Sequence, residues 1–223
     1  MIFKFEILLV SPAFERIVLP LKRNYRKLGI EVSIRTVQDD SQYQKRLEEF
    51  DFDVAILFSD ILFPLQSLGM NLSYSPGPIF ESHLNIKNLK SLFTIKNPIS
   101  SLEFQGEAIE RTLERLSDDK SLIGFIGGPW TLISYACGLN KETKNQKLNK
   151  FKLTLLDETI LPLLEQNIEL QLKAGAENLM IFDSLAHQLS KEDLYLYLSK
   201  TFSSLINKFP GKIGYYAKDG IDY

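Results

Sequence analysis

Short, almost unbroken apolar runs alternate along this chain with segments whose apolar residues recur at helical spacing, and this alternation limits the possible folds more than any other feature. The strand-like runs are "FEILLV" at 5–10, "EVSIRTV" at 31–37, "VAILF" at 54–58, "SLIGFI" at 121–126, "ENLMIFDS" at 177–184 and "KIGYYAKDG" at 212–220. Between the first two, Ser11 and Pro12 occupy cap and first-turn positions. Phe14, Ile17, Val18, Leu21, Tyr25 and Leu28 then keep helical spacing up to Gly29, with a bend expected at Pro20. A cap at Asp40 or Ser41 opens a second helix carrying Tyr43, Leu47 and Phe50 on one side. Further helices are expected over 106–116, from Pro129, from Lys152 to Ala174 and over 191–208, and a loop-rich interval with an "SPGP" turn over 74–101. Leu156, Ile160, Leu164, Ile168 and Leu172 stand four apart in the longest helix, which Gly175 ends and Pro162 disturbs. Apolar strands separated by helices imply an α/β fold with parallel pairing and helices on the faces, closed as a barrel or left as an open sheet.

Composition narrows the partners. With 223 residues, 44% of them hydrophobic, the chain can bury a substantial core as one large or two small domains. Twenty-six basic against 28 acidic residues leave a formal charge of -2, which provides no footprint for nucleic acid or for an anionic membrane. Cys137 is the only cysteine, and with His83 and His187 as the only histidines no metal-binding spacing arises. "MIFKFEILLVSPAFER" lacks the pattern of a secretory signal, and no apolar run reaches the roughly 18 residues that span a bilayer. A soluble protein of the cytoplasm is the expectation. The residues 141–150 read as a solvated connection, and the arginines of the predicted helices and strands as solvated side chains.

In parallel α/β folds, ligand groups gather where strands end and loops begin. Asp60, Gly127, Gly128, Asp183, Ser184, Lys218 and Asp219 all fall at such ends. Asp60 interrupts the apolar stretch "FDFDVAILFSDILFPLQSLGM". An unpaired carboxylate in an apolar interior costs several kcal/mol, so Asp60 either caps a helix starting at Ile61 or faces a cavity where it stabilises a cation. Tyr135 lies five residues beyond Trp130 on a helix whose aromatics fit a core, or else sends its hydroxyl into the cavity. Ser184 fits a helix N-cap, with no histidine–acid pattern to make it a nucleophile. "FIGG" lacks the spacing of a phosphate loop.

From about Phe50 onward these segments resemble uroporphyrinogen decarboxylase: "DFDVAILFSDIL" with "LGM", "LIGFIGGPWTLISYACG", "QLKAGAENLMIFDS" and then "IGYYAKDG", in family order. The resemblance implies a partial (β/α)8 TIM barrel over 54–223. It implies removal of CO2 from the four acetate side chains of uroporphyrinogen III to give coproporphyrinogen III, without metal or organic cofactor. Asp60 matches the family's pyrrole-binding aspartate, Tyr135 its hydrogen-bonding tyrosine, Ser184 its strand-end serine and Phe182 a cavity aromatic. A homodimer with facing clefts is implied as well.

Two departures bear on activity. The family's arginine–glycine motif, whose arginines bind substrate carboxylates, has no counterpart in residues 1–49, and the family's C-terminal glycine–histidine segment is missing before Tyr223. Residues 1–53, as a βαβα segment, resemble instead part of the C-terminal lobe of a peptide-class solute-binding protein of ABC transporters, through "FEILLVSPAFERIVLPLKRN", "LGIEVSIRTV" and "QYQKRLEEFDFD". These departures lead to the expectation of a fusion near Phe50, with activity impaired. The alternatives are a catalytically inactive fused fragment and a remnant of a solute-binding protein.

Overall fold

The structure, a computed structural model, describes residues 4–9, 15–27, 29–36, 41, 42, 45, 54–57, 59–89, 93–139, 144 and 146–217. The chain divides into two compact units, Met1–Ala55 with Arg115–Ser121, and Ile56–Glu114 with Leu122–Tyr223.

In the first unit, β1 (Lys4–Leu9) and β2 (Glu31–Thr36) pair in parallel around helix α1 (Glu15–Lys27), as the alternation predicts. Lys4 pairs with Glu31 at 2.6 Å, and Thr36 Oγ1 donates to Glu15 at 2.7 Å. Ser41, Gln42 and Lys45 are helical, in line with the second expected helix. Ser11, Pro12, Phe14, Asp40, Tyr43, Leu47 and Phe50 lie outside the described residues.

A four-stranded sheet has the order β3 (Val54–Ile56), β6 (Ser121–Gly127), β7 (Asn178–Phe182), β8 (Ile213–Tyr216). The pairs β6–β7 and β7–β8 are parallel, with Gly127 opposite Phe182 and Phe182 opposite Tyr216. Leu57 N–H donates to Ile123 O at 2.9 Å, extending the order to the segment after β3. Among the described residues the sheet order does not close on itself, and the structure shows an α/β fold with a parallel sheet. The interval read as loop-rich contains a hairpin, β4 (Leu72–Tyr74) antiparallel to β5 (Pro78–Phe80), turned at the "SPGP" stretch. A 3₁₀ turn at Pro98–Leu102 then leads into α3 (Glu103–Leu113), which starts three residues earlier than its spacing suggested.

Helix α4 (Pro129–Ala136) begins with proline at its first position, as expected from a residue whose missing N–H costs nothing there. The long helical segment runs as α5 (Lys150–Leu155), a wide π turn (Leu156–Ile160) and α6 (Leu161–Lys173). Pro162 explains the wide turn. It cannot donate to Glu158, and Leu161 N–H reaches back five residues to Leu156 O. Leu156, Ile160, Leu164 and Ile168 are completely buried, each contributing roughly 1.5–3 kcal/mol of burial. Of the solvated connection expected over 141–150, the described residues Lys144, Lys147, Asn149 and Lys150 are exposed and Leu148 is buried; Gln146 bridges to Leu189, and Asn149 caps α5 by accepting from Lys152 N–H. The last helical stretch is α7 (Lys191–Leu196), a π turn (Tyr197–Phe202) and α8 (Ser203–Lys208). Among the described residues, no helix is long and apolar enough to cross a membrane.

Candidate active site

The carboxyl ends of the strands come together through backbone bonds. Gly128 N–H donates to Phe182 O and Asp183 N–H to Tyr216 O, both at 2.8 Å, so the loops leaving β6, β7 and β8 are laid side by side. Two glycines permit this approach. A Cβ at Gly127 would lie 2.2 Å from Ile61 O, and one at Gly128 would lie 2.3 Å from the Asp183 side chain. The segment carrying Asp60 therefore crosses the end of β6, and the end of β7 presses on the start of α4.

Asp60 is half-buried, and its Oδ1 accepts Leu62 N–H at 2.7 Å. Helix α2 (Phe63–Ser67) starts two residues later than Ile61, the start expected from the sequence, with Pro64 in its first turn and Leu62, which makes no side-chain bond, at its cap position. Asp60 thus closes the turn that enters the helix. Its other carboxylate oxygen accepts no donor among the described residues. The bond at Oδ1 is a turn-closing one ahead of the helix, in place of the N-cap expected for a helix starting at Ile61.

Phe182 stands in an aromatic row. Its ring meets Phe125 edge-on at 5.7 Å and Tyr216 at 5.7 Å, tilted by 54°. Phe125, Phe182 and Tyr216 project from neighbouring strands to one face, and strand alternation sends Gly124 to the other, against α6. Phe125 and Tyr216 were legible in principle, because Phe125 is two residues before the residue opposite Phe182.

Ser184 is half-buried and does not cap a helix. The chain makes only a 3₁₀ turn at Ala186–Gln188 after it, and Ser190 is the residue that caps α7. The Ser184 carbonyl instead accepts from His187 Nδ1 at 3.0 Å. Tyr135 is half-buried and packs against the core, six residues and about 9 Å along α4 from its first turn. Lys218 and Asp219 lie outside the described residues.

Sequence reasoning placed Asp183 at a strand end without giving it a role. It is wholly buried and accepts four hydrogen bonds. Oδ1 takes Thr131 N–H at 2.7 Å and Thr131 Oγ1–H at 2.8 Å; Oδ2 takes the hydroxyls of Tyr197 at 2.5 Å and Tyr215 at 3.1 Å. Burial pushes its carboxyl above the ordinary range while the four donors pull it back. Burial, and then the Asp183 charge, raise the Tyr197 phenol well above its usual value. The Tyr197 oxygen also accepts Trp130 N–H at 3.1 Å, and Thr131 Oγ1 accepts Leu185 N–H at 3.0 Å. This cluster ties α4, β7, β8 and the π turn together at the strand ends.

Elsewhere, an open hollow of about 550 Å³ is lined by Cys137, Lys152, Phe151, Leu84 and their neighbours. Burial pushes the Cys137 thiol up to about 11, which keeps thiolate chemistry out of reach near neutral pH. Burial lowers the Lys152 ammonium, whose Nζ bonds Gln146 Oε1 and Lys147 O and lies 5.2 Å from the centre of the Trp130 ring. Those partners give Lys152 a structural occupation.

A sequence model of the uroporphyrinogen decarboxylase family, URO-D, matches residues 43–221. The chain is 38% identical over 176 residues to uroporphyrinogen decarboxylase of Orientia tsutsugamushi (strain Ikeda), covering 74% of this chain and 51% of that protein. It is 35% identical over 190 residues to the uroporphyrinogen decarboxylase of Campylobacter hominis, covering 79% of this chain and 51% of that one. Among solved structures, a methyltransferase from Methanosarcina mazei superposes with a TM-score of 0.51 at 16% identity over 78% of this chain and 52% of its own, a likeness of fold alone. The chain spans about half the length of the curated relatives it matches. By its family match over most of its length, the chain belongs to the uroporphyrinogen decarboxylase family.

Proposed function

We propose that this chain binds a porphyrinogen at the carboxyl edge of its sheet, with Asp60 as the anion that meets the pyrrole N–H groups, and that its chemistry is that of uroporphyrinogen decarboxylase. The observation carrying this reading is the division of labour at Asp60: Oδ1 is fixed by Leu62 N–H, while the second oxygen accepts no donor among the described residues. A held carboxylate loses little on meeting a ligand, because its orientation is already set.

The reaction replaces CO2 by a proton on each acetate side chain. Protonation of a pyrrole carbon makes the ring cationic, and the bond between the acetate methylene and the carboxylate then breaks. Its electrons enter the ring, and the resulting exocyclic methylene takes up a proton to become a methyl group as the ring loses its own. A carboxylate beside the pyrrole nitrogens stabilises the cation more than the neutral ring, which lowers the barrier. Phe182, in its aromatic row, supplies an apolar wall to the macrocycle, with Tyr135, which resembles the family's hydrogen-bonding tyrosine, and Ser184, which resembles its strand-end serine, as further substrate contacts.

The four-stranded sheet is read here as part of a (β/α)8 barrel, supported by its parallel order. Residues 1–53 are proposed as a separate segment, supported by the division of contacts after Ala55, although the family match already begins at residue 43. A homodimer and a cytoplasmic location are part of the same proposal, suggested by the family resemblance. Turnover is expected to be low, because the arginines that would take the substrate carboxylates have no counterpart in residues 1–49.

Anaerobic calorimetry with uroporphyrinogen III tests the reading, with coproporphyrinogen III followed in parallel by chromatography. Asp60→Ala is expected to weaken binding by about tenfold or more, the size of a hydrogen bond to a charged group. Equal affinity of the two proteins, or no binding by the unaltered chain, overturns the proposal and favours an inactive fused fragment.

A further inference from the structure

Three buried amide side chains occupy interior positions where leucine would ordinarily serve. Gln105 on α3, and Asn167 and Gln171 on α6, are 3%, 0% and 1% exposed. Gln171 Nε2 reaches Gln105 Oε1 at 3.4 Å, Phe125 O at 3.3 Å and Asn167 Oδ1 at 3.2 Å. Gln105 Nε2 then donates to Ser59 Oγ at 3.0 Å. The seat for Gln171 is built into β6, since a Cβ at Gly124 would lie 2.2 Å from Gln171 Oε1. At the inner end Asn167 Nδ2 finds no acceptor, so the series is not fully satisfied and is a costly substitute for an apolar core. Stability alone does not account for it. Its outer end is the informative one, because Ser59 immediately precedes Asp60.

We propose that Gln105 is a positioning residue for Asp60, acting through the Ser59 hydroxyl with Gln171 as its support. The segment 59–62 is tied to the rest of the fold at Ser59 Oγ, which accepts from Gln105; Asp60 Oδ1 accepts Leu62 N–H within the segment, and Ile61 O lies where a Cβ at Gly127 would meet it at 2.2 Å. The Gln105 bond sets the backbone from which the Asp60 carboxylate projects. Releasing it leaves the carboxylate in place chemically but frees its direction, which costs affinity through lost preorganisation. The inference rests on the reading of Asp60 as the porphyrinogen anion only where ligand affinity is concerned.

The test uses Gln105→Met, which keeps volume and removes the donor, with Ser59→Ala severing the same bond from the loop side should the first variant fail to fold. In either, the Leu62 amide is expected to exchange its hydrogen about fivefold to tenfold faster by NMR, and affinity for uroporphyrinogen III to fall by a similar factor, about the worth of one hydrogen bond. In an Asp60→Asn background the added Gln105→Met is expected to change affinity by less than about twofold, since the cycle isolates what acts through Asp60. Unchanged protection of the Leu62 amide overturns the proposal, as does an affinity loss of the same size in both backgrounds. Should the unaltered chain not bind uroporphyrinogen III, the porphyrinogen reading falls, and Leu62 exchange still decides the tether.

Discussion

At the end of β7, Asp183 is wholly buried and gives both oxygens to Thr131, Tyr197 and Tyr215, whereas after β3 Asp60 is half-buried and gives one oxygen to its own turn. Both are aspartates at the carboxyl edge of one sheet. The difference lies in which neighbours the chain supplies. Around Asp183, distant segments converge on it, 52 residues upstream at Thr131 and 32 downstream at Tyr215. Around Asp60, the bond to Leu62 is two residues away, and the distant partner, Gln105, goes to Ser59 instead. A carboxylate saturated by protein donors is part of the scaffold, and one with an unoccupied oxygen has capacity for a ligand.

Removing each carboxylate separates these roles most sharply. Asp183→Ala strips four donors of their acceptor inside the core and is expected to cost about 3–5 kcal/mol, a large share of the 5–15 kcal/mol that holds a typical domain. Asp60→Ala loses one turn-closing bond and is expected to cost about 1 kcal/mol of stability, and on the proposed porphyrinogen reading its larger effect is on ligand affinity. Urea denaturation of both variants checks this. Similar losses would erase the distinction between the two strand ends.

The sequence was informative where function depends on local pattern. Strand-end positions were legible for both aspartates, since apolar runs break at Asp60 and Asp183. The long helix was legible from Leu156 to Ile168 because burial follows a four-residue spacing, and Pro162 announced its wide turn. The hub was not legible. Nothing in "KEDLYLYLSK" distinguishes Tyr197, whose ring is wholly buried, from Tyr195, which is 70% exposed. Helical spacing predicts a face and says nothing about which hydroxyl meets a carboxylate 14 residues back. Ser184 was misread as a cap because a serine after a strand fits that role locally, and the helix that would need it begins only at Lys191. The amide series was missed for the same reason as the hub: Gln105 and Ser59 are 46 residues apart.

The two tyrosines refine the comparison within the hub. Tyr197→Phe removes a donor from Asp183 and the acceptor of Trp130 N–H, both buried, and is expected to cost about 2–3 kcal/mol. Tyr215→Phe removes one longer bond from a half-buried hydroxyl, and its cost is expected to be about 1 kcal/mol. Chemical denaturation resolves a difference of that size. Equal costs would mean that burial does not grade the donors of Asp183.

The charge of Asp183 offers the finest test, through pH. Burial raises its carboxyl in the folded protein, so between the ordinary carboxylate value and the raised one the folded state holds the proton more tightly than the unfolded state. Stability from this group is therefore full below the unfolded value and declines as pH rises through the folded one, by no more than about 1.4 kcal/mol per pH unit for one proton. Protonation is tolerated because a tyrosine hydroxyl can rotate to accept the new O–H. Asp183→Asn removes the titration, so the stability of the unaltered chain minus that of the variant is expected to fall with rising pH across this window. A difference for Asp183 that rises with pH would show that its four donors outweigh burial, and would make the hub a stabilised anion instead of a strained one.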